Sequence, residues 1–116
     1  MKTFTIYHNP RCSKSRQALQ ILRDKGIEPN IIEYLKTPLQ KDELKKISNI
    51  LGLRPKDFVR KNEKDFKENN LGKYIENDEK MFAAMVSYPK IIERPIVTLE
   101  NKAVLCRPPE NILKFI

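Results

Sequence analysis

One cysteine near the start of the chain stands in the residue context of a reactive thiol. Cys12 lies in the run His8-Asn9-Pro10-Arg11-Cys12-Ser13-Lys14-Ser15-Arg16, between a β-branched, aromatic stretch and a segment of helical pattern. The first backbone N–H groups of a helix lack partners inside the helix, and together with nearby cations they favour a thiolate. Arg11, Lys14 and Arg16 supply such cations. Inert packing is the usual state of a lone cysteine, but this setting predicts that Cys12 is nucleophilic or redox-active.

Two polar residues beside Cys12 are candidates for supporting its thiolate. Ser15 stands where a dithiol CxxC motif has its second cysteine, so a disulfide within this motif is excluded. Its hydroxyl is expected either to donate a hydrogen bond to the thiolate or to act only as a polar group in the first helical turn. His8, the only histidine, either favours the thiolate through a positive charge or hydrogen-bonds within the turn. For His8 we favour support of the thiolate.

Three arginines stand at boundaries of predicted elements and are candidates for binding an oxyanion. Arginine keeps its charge and donates paired hydrogen bonds that match a tetrahedral oxyanion. Arg94 precedes Pro95 at the start of the third predicted strand, Arg107 follows the fourth, and Arg60 ends a short helix. An antiparallel hairpin would place Arg94 and Arg107 at one sheet edge, near Cys12. A surface charge is the ordinary role of any one of them taken alone.

The second cysteine and the remaining chemistry-bearing residues give weaker signals. Cys106 lies in an apolar run and is predicted to be a buried packing residue. A role as resolving thiol for Cys12 stays open, because it depends on the distance between the two sulfurs. No His, Cys or carboxylate cluster has metal-ligand spacing, and there is no glycine-rich phosphate loop. The sequence therefore predicts neither a bound metal nor a bound nucleotide.

Length and charge narrow the class of protein. The 116 residues are expected to form a single domain with one core. The net charge of +8 comes from cations interleaved with carboxylates, without the basic block that nucleic-acid binding would require. No apolar run reaches the length of a membrane span, and the start lacks the pattern of a secretory signal. We therefore expect a cytoplasmic protein that binds neither nucleic acid nor membrane.

Hydrophobic patterns predict an α/β protein with a thioredoxin-like fold and a four-stranded mixed sheet. Strands at residues 3–7 and 30–35 flank a helix at residues 13–25, which implies a right-handed crossover between parallel strands. Residues 96–99 and 103–106 are predicted to form a hairpin with a three-residue loop, before a last helix that starts at Pro108-Pro109 and turns Ile112, Leu113 and Ile116 inward. Between them lies a predicted helical insert, at about residues 38–88. It contains a helix that stops at Gly52, a short helix from Arg54 that carries Phe58 and Val59, helical turns and loop at residues 61–76, and a helix at residues 78–87.

Five segments in order resemble the ArsC family of glutaredoxin-coupled arsenate reductases, over essentially the whole chain. They are the His8 to Arg16 run, Tyr34-Leu35-Lys36-Thr37-Pro38, Arg60-Lys61-Asn62, Glu93-Arg94-Pro95-Ile96-Val97 and Cys106-Arg107-Pro108-Pro109-Glu110. The resemblance implies a thioredoxin-like fold with a helical insert and a catalytic cysteine at Cys12. It further implies an oxyanion-binding triad of Arg60, Arg94 and Arg107, support of the thiolate by His8 and Ser15, and a cis bond before Pro95.

The resemblance also implies a reaction. In the family the thiolate attacks the arsenic of arsenate, glutathione joins the adduct as co-substrate, and glutaredoxin completes the reduction so that arsenite is released. No tightly bound cofactor is expected. Two alternatives stay open: a thiol redox protein that forms mixed disulfides with another substrate, and a Spx-like regulator that binds RNA polymerase. Ser15 counts against the regulator, because such proteins typically carry a CxxC switch.

Overall fold

The computed structural model describes residues 3–116, which contain four strands, four α-helices and several 3₁₀ turns. These residues divide into two compact units. Residues 3–37 and 94–116 form the first unit, and Pro38–Glu93 form the second. The predicted organisation as a single domain with an insert at about residues 38–88 stays a prediction.

The first unit is built on a mixed sheet with the strand order β2-β1-β3-β4. The strands are β1 (Phe4–Tyr7), β2 (Asn30–Ile32), β3 (Ile96–Leu99) and β4 (Lys102–Leu105). Helix α1 (Ser13–Asp24) joins β1 to its parallel neighbour β2, whereas β3 pairs antiparallel with both β1 and β4. The predicted four-stranded mixed sheet is confirmed.

One row of paired residues crosses the whole sheet. It marks the edge of the sheet where the four strands join the loops that carry candidate site residues. Tyr7 pairs with Ile32 on one side and Ile96 on the other, and Ile96 pairs with Leu105. The chain leaves β1, β2 and β4 beyond this row and enters β3 from the same side. We call this side of the sheet the Tyr7 edge. Segments far apart in sequence are therefore brought together there by backbone pairing alone.

Burial of one face of α1 fixes the start of that helix against the sheet. Its buried positions Ser15, Ala18, Leu19 and Leu22 follow the predicted spacing of i, i+3, i+4 and i+7. The aliphatic residues of this face pack with Ile6 of β1 and other core residues. Full burial of a leucine side chain contributes about 1.5–3 kcal/mol. The helix ends as predicted, with Gly26 in the left-handed region at φ 76°.

The second unit is helical and has its own apolar interior. Helices α2 (Lys41–Leu51), α3 (Lys64–Glu68) and α4 (Asp78–Ser87) alternate with 3₁₀ turns at Pro55–Asp57, Leu71–Tyr74 and Pro89–Ile91. Met81, Phe82 and Met85 of α4 are buried, so the apolar stripe predicted for this helix serves core packing. Gly52 caps α2 in the left-handed conformation, where the sequence predicts its end.

Three strand and turn boundaries differ from the predicted ones. Strand β2 ends at Ile32 instead of residue 35, because the chain turns at Glu33, whose carbonyl accepts hydrogen bonds from the amides of Lys36 and Thr37. The hairpin loop has two residues instead of three, with Glu100 in the left-handed region at φ 56°. The predicted helix from Arg54 is only a 3₁₀ turn, and Val59 lies beyond it in a bridge to Ile92.

The last predicted helix also differs in its period. Residues Pro109–Lys114 form a 3₁₀ helix, in which positions i and i+3 share a face. Ile112 is accordingly buried, and Phe115 packs its ring against Phe4 at 6.2 Å between centroids. Leu113 and Ile116, which an α-helical period would turn inward, are exposed. No helix within residues 3–116 is both long and apolar enough to cross a membrane.

Replacing Asn77 with alanine should destabilise the second unit. The side chain of Asn77 caps α4 by accepting a hydrogen bond from the amide of Lys80 at 3.1 Å, and loss of such a cap costs about 1 kcal/mol. Urea unfolding should therefore show a lower midpoint for Asn77→Ala. Asn77→Asp retains the acceptor and is the matched control. Equal losses in the two variants would contradict the assigned capping role.

Candidate active site

Cys12 is the N-cap of α1 and lies at the Tyr7 edge. Its carbonyl accepts the first helical hydrogen bond, from the amide of Arg16, and its own amide donates to the carbonyl of Asn9. The sulfur is partly exposed, and the backbone amides of Lys14 and Ser15 donate hydrogen bonds to it. Cys12 thus occupies the position in front of the unpaired amides that the sequence predicts.

Arg94 supplies a full positive charge at the same sulfur. It lies two residues before Ile96, on the side of β3 that faces the Tyr7 edge, and its guanidinium donates a hydrogen bond to Cys12. Burial by itself raises the pKa of the Cys12 thiol, but the two backbone amides and Arg94 more than offset it. The pKa is therefore lowered from its usual range, and the thiolate is favoured.

Arg107 reaches the same edge through the hairpin. It lies two residues after Leu105, the partner of Ile96, and its guanidinium donates to the carbonyl oxygen of Arg94 at 3.3 Å. The predicted juxtaposition of these two arginines is confirmed. The bond before Pro95 is cis as expected. The Arg107-Pro108 bond is cis as well. An oxyanion-binding role for either arginine stays a prediction.

His8 and Ser15 interact with each other, which changes how they can act on Cys12. His8 Nδ1 and the Ser15 hydroxyl are hydrogen-bonded at 2.6 Å, and the hydroxyl also accepts from the amide of Asn9 at 3.1 Å. The part of Ser15 that donates to the sulfur is its backbone N–H. Its hydroxyl contacts His8 and Asn9 instead, and these contacts do not support the open alternative of a hydroxyl donated to the thiolate. Burial lowers the pKa of His8, which favours the hydrogen-bonding alternative over a charged imidazolium.

Two residues at this edge escaped the sequence-based reasoning. Asn9 is buried, and its side-chain oxygen accepts from the amide of Arg11 at 3.0 Å, so it closes the turn that carries Cys12. An asparagine before proline is a recognisable turn signal. Tyr34 is also buried and interacts with the guanidinium of Arg94. Tyr34 lies inside the predicted second strand and in one of the five segments that resemble the family, but neither pattern indicated its contact with Arg94.

Cys106 is a core residue. It is fully buried beside Ile6, Val97 and Ile112, and desolvation raises the pKa of its thiol to about 12. Packing was the predicted role and is confirmed. The open alternative of a resolving thiol is disfavoured, because a buried thiol with this pKa is protonated and inaccessible at neutral pH. Both cysteines are free thiols.

Arg60 belongs to the second unit and has acidic partners there. Its amide donates to the carbonyl of Ile91, and its guanidinium pairs with Glu63 at 3.2 Å and with Glu93 at 3.4 Å. All three of these charged side chains are about three-quarters buried. The assignment of Arg60 to an oxyanion site stays a prediction.

Within residues 3–116, no three His, Cys, Asp or Glu side chains come together in a way that would hold a metal ion. The chemistry that the described site offers is that of a thiolate beside permanent positive charge.

The sheet topology defines a thioredoxin-like protein. The start of the helix that follows β1 stabilises a thiolate, so this protein has a reactive cysteine. Comparison with known sequences gives the family. The model of the ArsC family matches residues 7–115, so this chain belongs to the ArsC family. The resemblance drawn from the five sequence segments is thereby confirmed.

Relatives of known name cover the whole chain. The uncharacterised protein YfgD of Escherichia coli K12 is 42% identical over 116 residues, which are 99% of this chain and 98% of YfgD. An arsenate reductase of Escherichia coli is 39% identical over 100% of this chain and 82% of its own length. The solved arsenate reductase of Vibrio cholerae is 44% identical, superposes with a TM-score of 0.94, and is matched over 98% of both chains.

Alkylation by iodoacetamide should modify Cys12 selectively and at a lower pH than an ordinary thiol. The lowered pKa of Cys12 and the burial of Cys106 predict one reactive sulfur. Mass spectrometry after alkylation across a pH series gives the midpoint and the modified residue. In Arg94→Met the midpoint should rise, because the side-chain donor and its charge are lost while a long side chain remains. Cys12→Ser is the control for background labelling, and an unshifted midpoint in Arg94→Met would contradict the contact.

Acid should destabilise this protein partly through His8. Its pKa is lowered on folding from 6.5, so below that pH the unfolded chain binds the proton more readily than the folded one. The contribution of His8 to stability is complete above 6.5 and is lost as the pH falls toward the folded-state pKa. Urea unfolding at about pH 8 and about pH 5 should show a smaller loss for His8→Asn than for the unsubstituted protein. An equal loss in both would contradict this linkage.

Proposed function

We propose that this protein is an arsenate reductase in which Cys12 is the nucleophile. The observation that carries the proposal is the Cys12 sulfur, held by two helical amides and the Arg94 guanidinium at an edge that Arg107 also reaches. Family membership supports it, because relatives that are 39–44% identical over nearly the whole chain are named arsenate reductases.

The local charges suit an anionic nucleophile that must meet an anionic substrate. A thiolate and arsenate repel each other, and fixed cations and amide dipoles offset that repulsion most effectively where water is partly excluded. Arg94 stabilises the sulfur before attack and is proposed to hold an arsenate oxygen during it. Arg107 is proposed to hold a second oxygen. The family resemblance implies Arg60 as a third arginine that binds the oxyanion. In the described structure, the guanidinium of Arg60 pairs with Glu63 and Glu93.

The stoichiometry requires a second thiol from outside the chain. Reduction of arsenate to arsenite takes two electrons, and two thiols supply them when they end as one disulfide, while one arsenate oxygen leaves with their two protons as water. Cys12 forms the first bond to arsenic. Ser15 occupies the CxxC position and Cys106 is buried in the core. We therefore propose glutathione as the co-substrate and glutaredoxin as the protein that completes the reduction, with no tightly bound cofactor.

A second candidate function rests on the same isolated thiol. Cys12 is reactive but lacks an accessible partner cysteine in the described chain, and such a thiol also forms mixed disulfides with glutathione or a protein thiol. In this version Cys12 would be glutathionylated and then released by another thiol, without turnover of arsenate. The two functions differ in whether an oxyanion is consumed.

Purified protein with arsenate, glutathione and glutaredoxin should form arsenite at a steady rate. Cys12→Ser should abolish this activity, because a serine hydroxyl is not ionised at neutral pH. Arg107→Lys should raise the KM for arsenate about tenfold, since a lysine cannot reproduce the paired donors of arginine.

Arg23→Lys is the matched control for these measurements, because Arg23 lies in the last turn of α1 and pairs with the exposed Glu28. It should behave like the unsubstituted protein. Full activity in Cys12→Ser would refute the mechanism. Glutathionylation of Cys12 without arsenite formation would instead favour the mixed-disulfide function.

A further inference from the structure

Tyr34 is a buried tyrosine at the Tyr7 edge to which the proposed mechanism assigns no task. It lies two residues after Ile32, which pairs with Tyr7, and the adjoining amide of His8 donates to the carbonyl of Ile32 at 2.8 Å. Only 1% of Tyr34 is exposed. The end of β2 is thereby tied to the segment that leads to Cys12.

Tyr34 and Cys12 share one neighbour, the guanidinium of Arg94. That guanidinium interacts with the sulfur of Cys12 and with the hydroxyl of Tyr34. The Nε atom of Arg94 and the hydroxyl oxygen of Tyr34 are both shielded from solvent. Arg94 enters from the start of β3, two residues before Ile96, so the two side chains approach from the strands on either side of β1.

A long side chain needs such a second contact if it is to hold a charge at one place. Fixing an arginine side chain in one conformation costs rotamer freedom. Its exposed neighbour Arg107 contacts the carbonyl oxygen of Arg94. Tyrosine has only two side-chain torsions, and a buried one is already fixed by packing, so its hydroxyl is a rigid partner.

We propose that Tyr34 is a positioning residue, whose hydroxyl holds the Arg94 guanidinium in the orientation that stabilises the Cys12 thiolate and receives the oxyanion. The part that concerns the oxyanion rests on the proposed function, whereas the part that concerns the thiolate does not. Tyr34 itself touches neither the sulfur nor the substrate in this scheme. It acts through Arg94.

The test is Tyr34→Phe, which keeps the buried ring and removes only the hydroxyl. The second-order rate of Cys12 alkylation at about pH 6 should fall about threefold or more, since the interaction of the hydroxyl with the guanidinium is lost. The KM for arsenate should rise by a similar factor, with a smaller change in kcat. Tyr88→Phe is the matched control, because it removes a hydroxyl that bonds Asn69 in the second unit. It should change neither quantity.

A double substitution separates positioning from mere packing. In an Arg94→Met background the Tyr34 hydroxyl has no guanidinium to hold, so adding Tyr34→Phe should leave the alkylation rate unchanged. Near-ultraviolet circular dichroism and the Tm of each variant establish that the fold is intact. If Tyr34→Phe is fully folded and alkylates at the unsubstituted rate, or if it slows alkylation equally with and without Arg94, the proposal is overturned. Because alkylation needs no arsenate, this result is independent of whether arsenate is the substrate.

Discussion

The negative charge on the sulfur of Cys12 is the feature on which the rest of the site depends. A thiolate at a protein surface is ordinarily a minority species at neutral pH, and partial burial makes it rarer still. Here the amides of Lys14 and Ser15 and the guanidinium of Arg94 outweigh the effect of burial and lower the pKa of the Cys12 thiol, which favours the thiolate. The amides act because they lie in the first turn of α1, for which Cys12 is the N-cap, and Asn9 closes the turn that precedes it. The local backbone and one distant side chain therefore act on the same atom.

Backbone pairing, not side-chain attraction, brings that distant side chain to the sulfur. The row through Ile32, Tyr7, Ile96 and Leu105 aligns four strand ends. Tyr34, Arg94 and Arg107 each lie two residues beyond this row. Like charges such as those of Arg94 and Arg107 would separate in a flexible chain, so the sheet must impose their proximity. An oxyanion between them would relieve the repulsion, which gives the proposed substrate a direct electrostatic role.

The division of tasks among the polar residues also bears on how Cys12 would be regenerated in the proposed function. His8 and Ser15 stabilise the turn through each other, and Cys106 contributes to the core. Cys12 is thus the single accessible thiol within the described chain. A site of this kind can form one covalent bond to a substrate but cannot complete a two-thiol reduction by itself. The placement of these residues supports the proposed regeneration by a separate thiol.

Local patterns in the sequence determined the strands, the helices α1, α2 and α4, and the thiol at a helix start, because periodicity and capping depend on neighbours along the chain. The boundaries of predicted elements singled out Arg94 and Arg107, and the resemblance to a family implied an oxyanion-binding triad that includes them. Only the tertiary structure decided which groups touch. It directed the Ser15 hydroxyl to His8 and joined Tyr34 to Arg94. It also gave the last helix a 3₁₀ period, in which Ile112 is buried and Phe115 partly buried, whereas Leu113 is exposed. Such contacts link residues distant in sequence, and they depend on packing that no local pattern encodes.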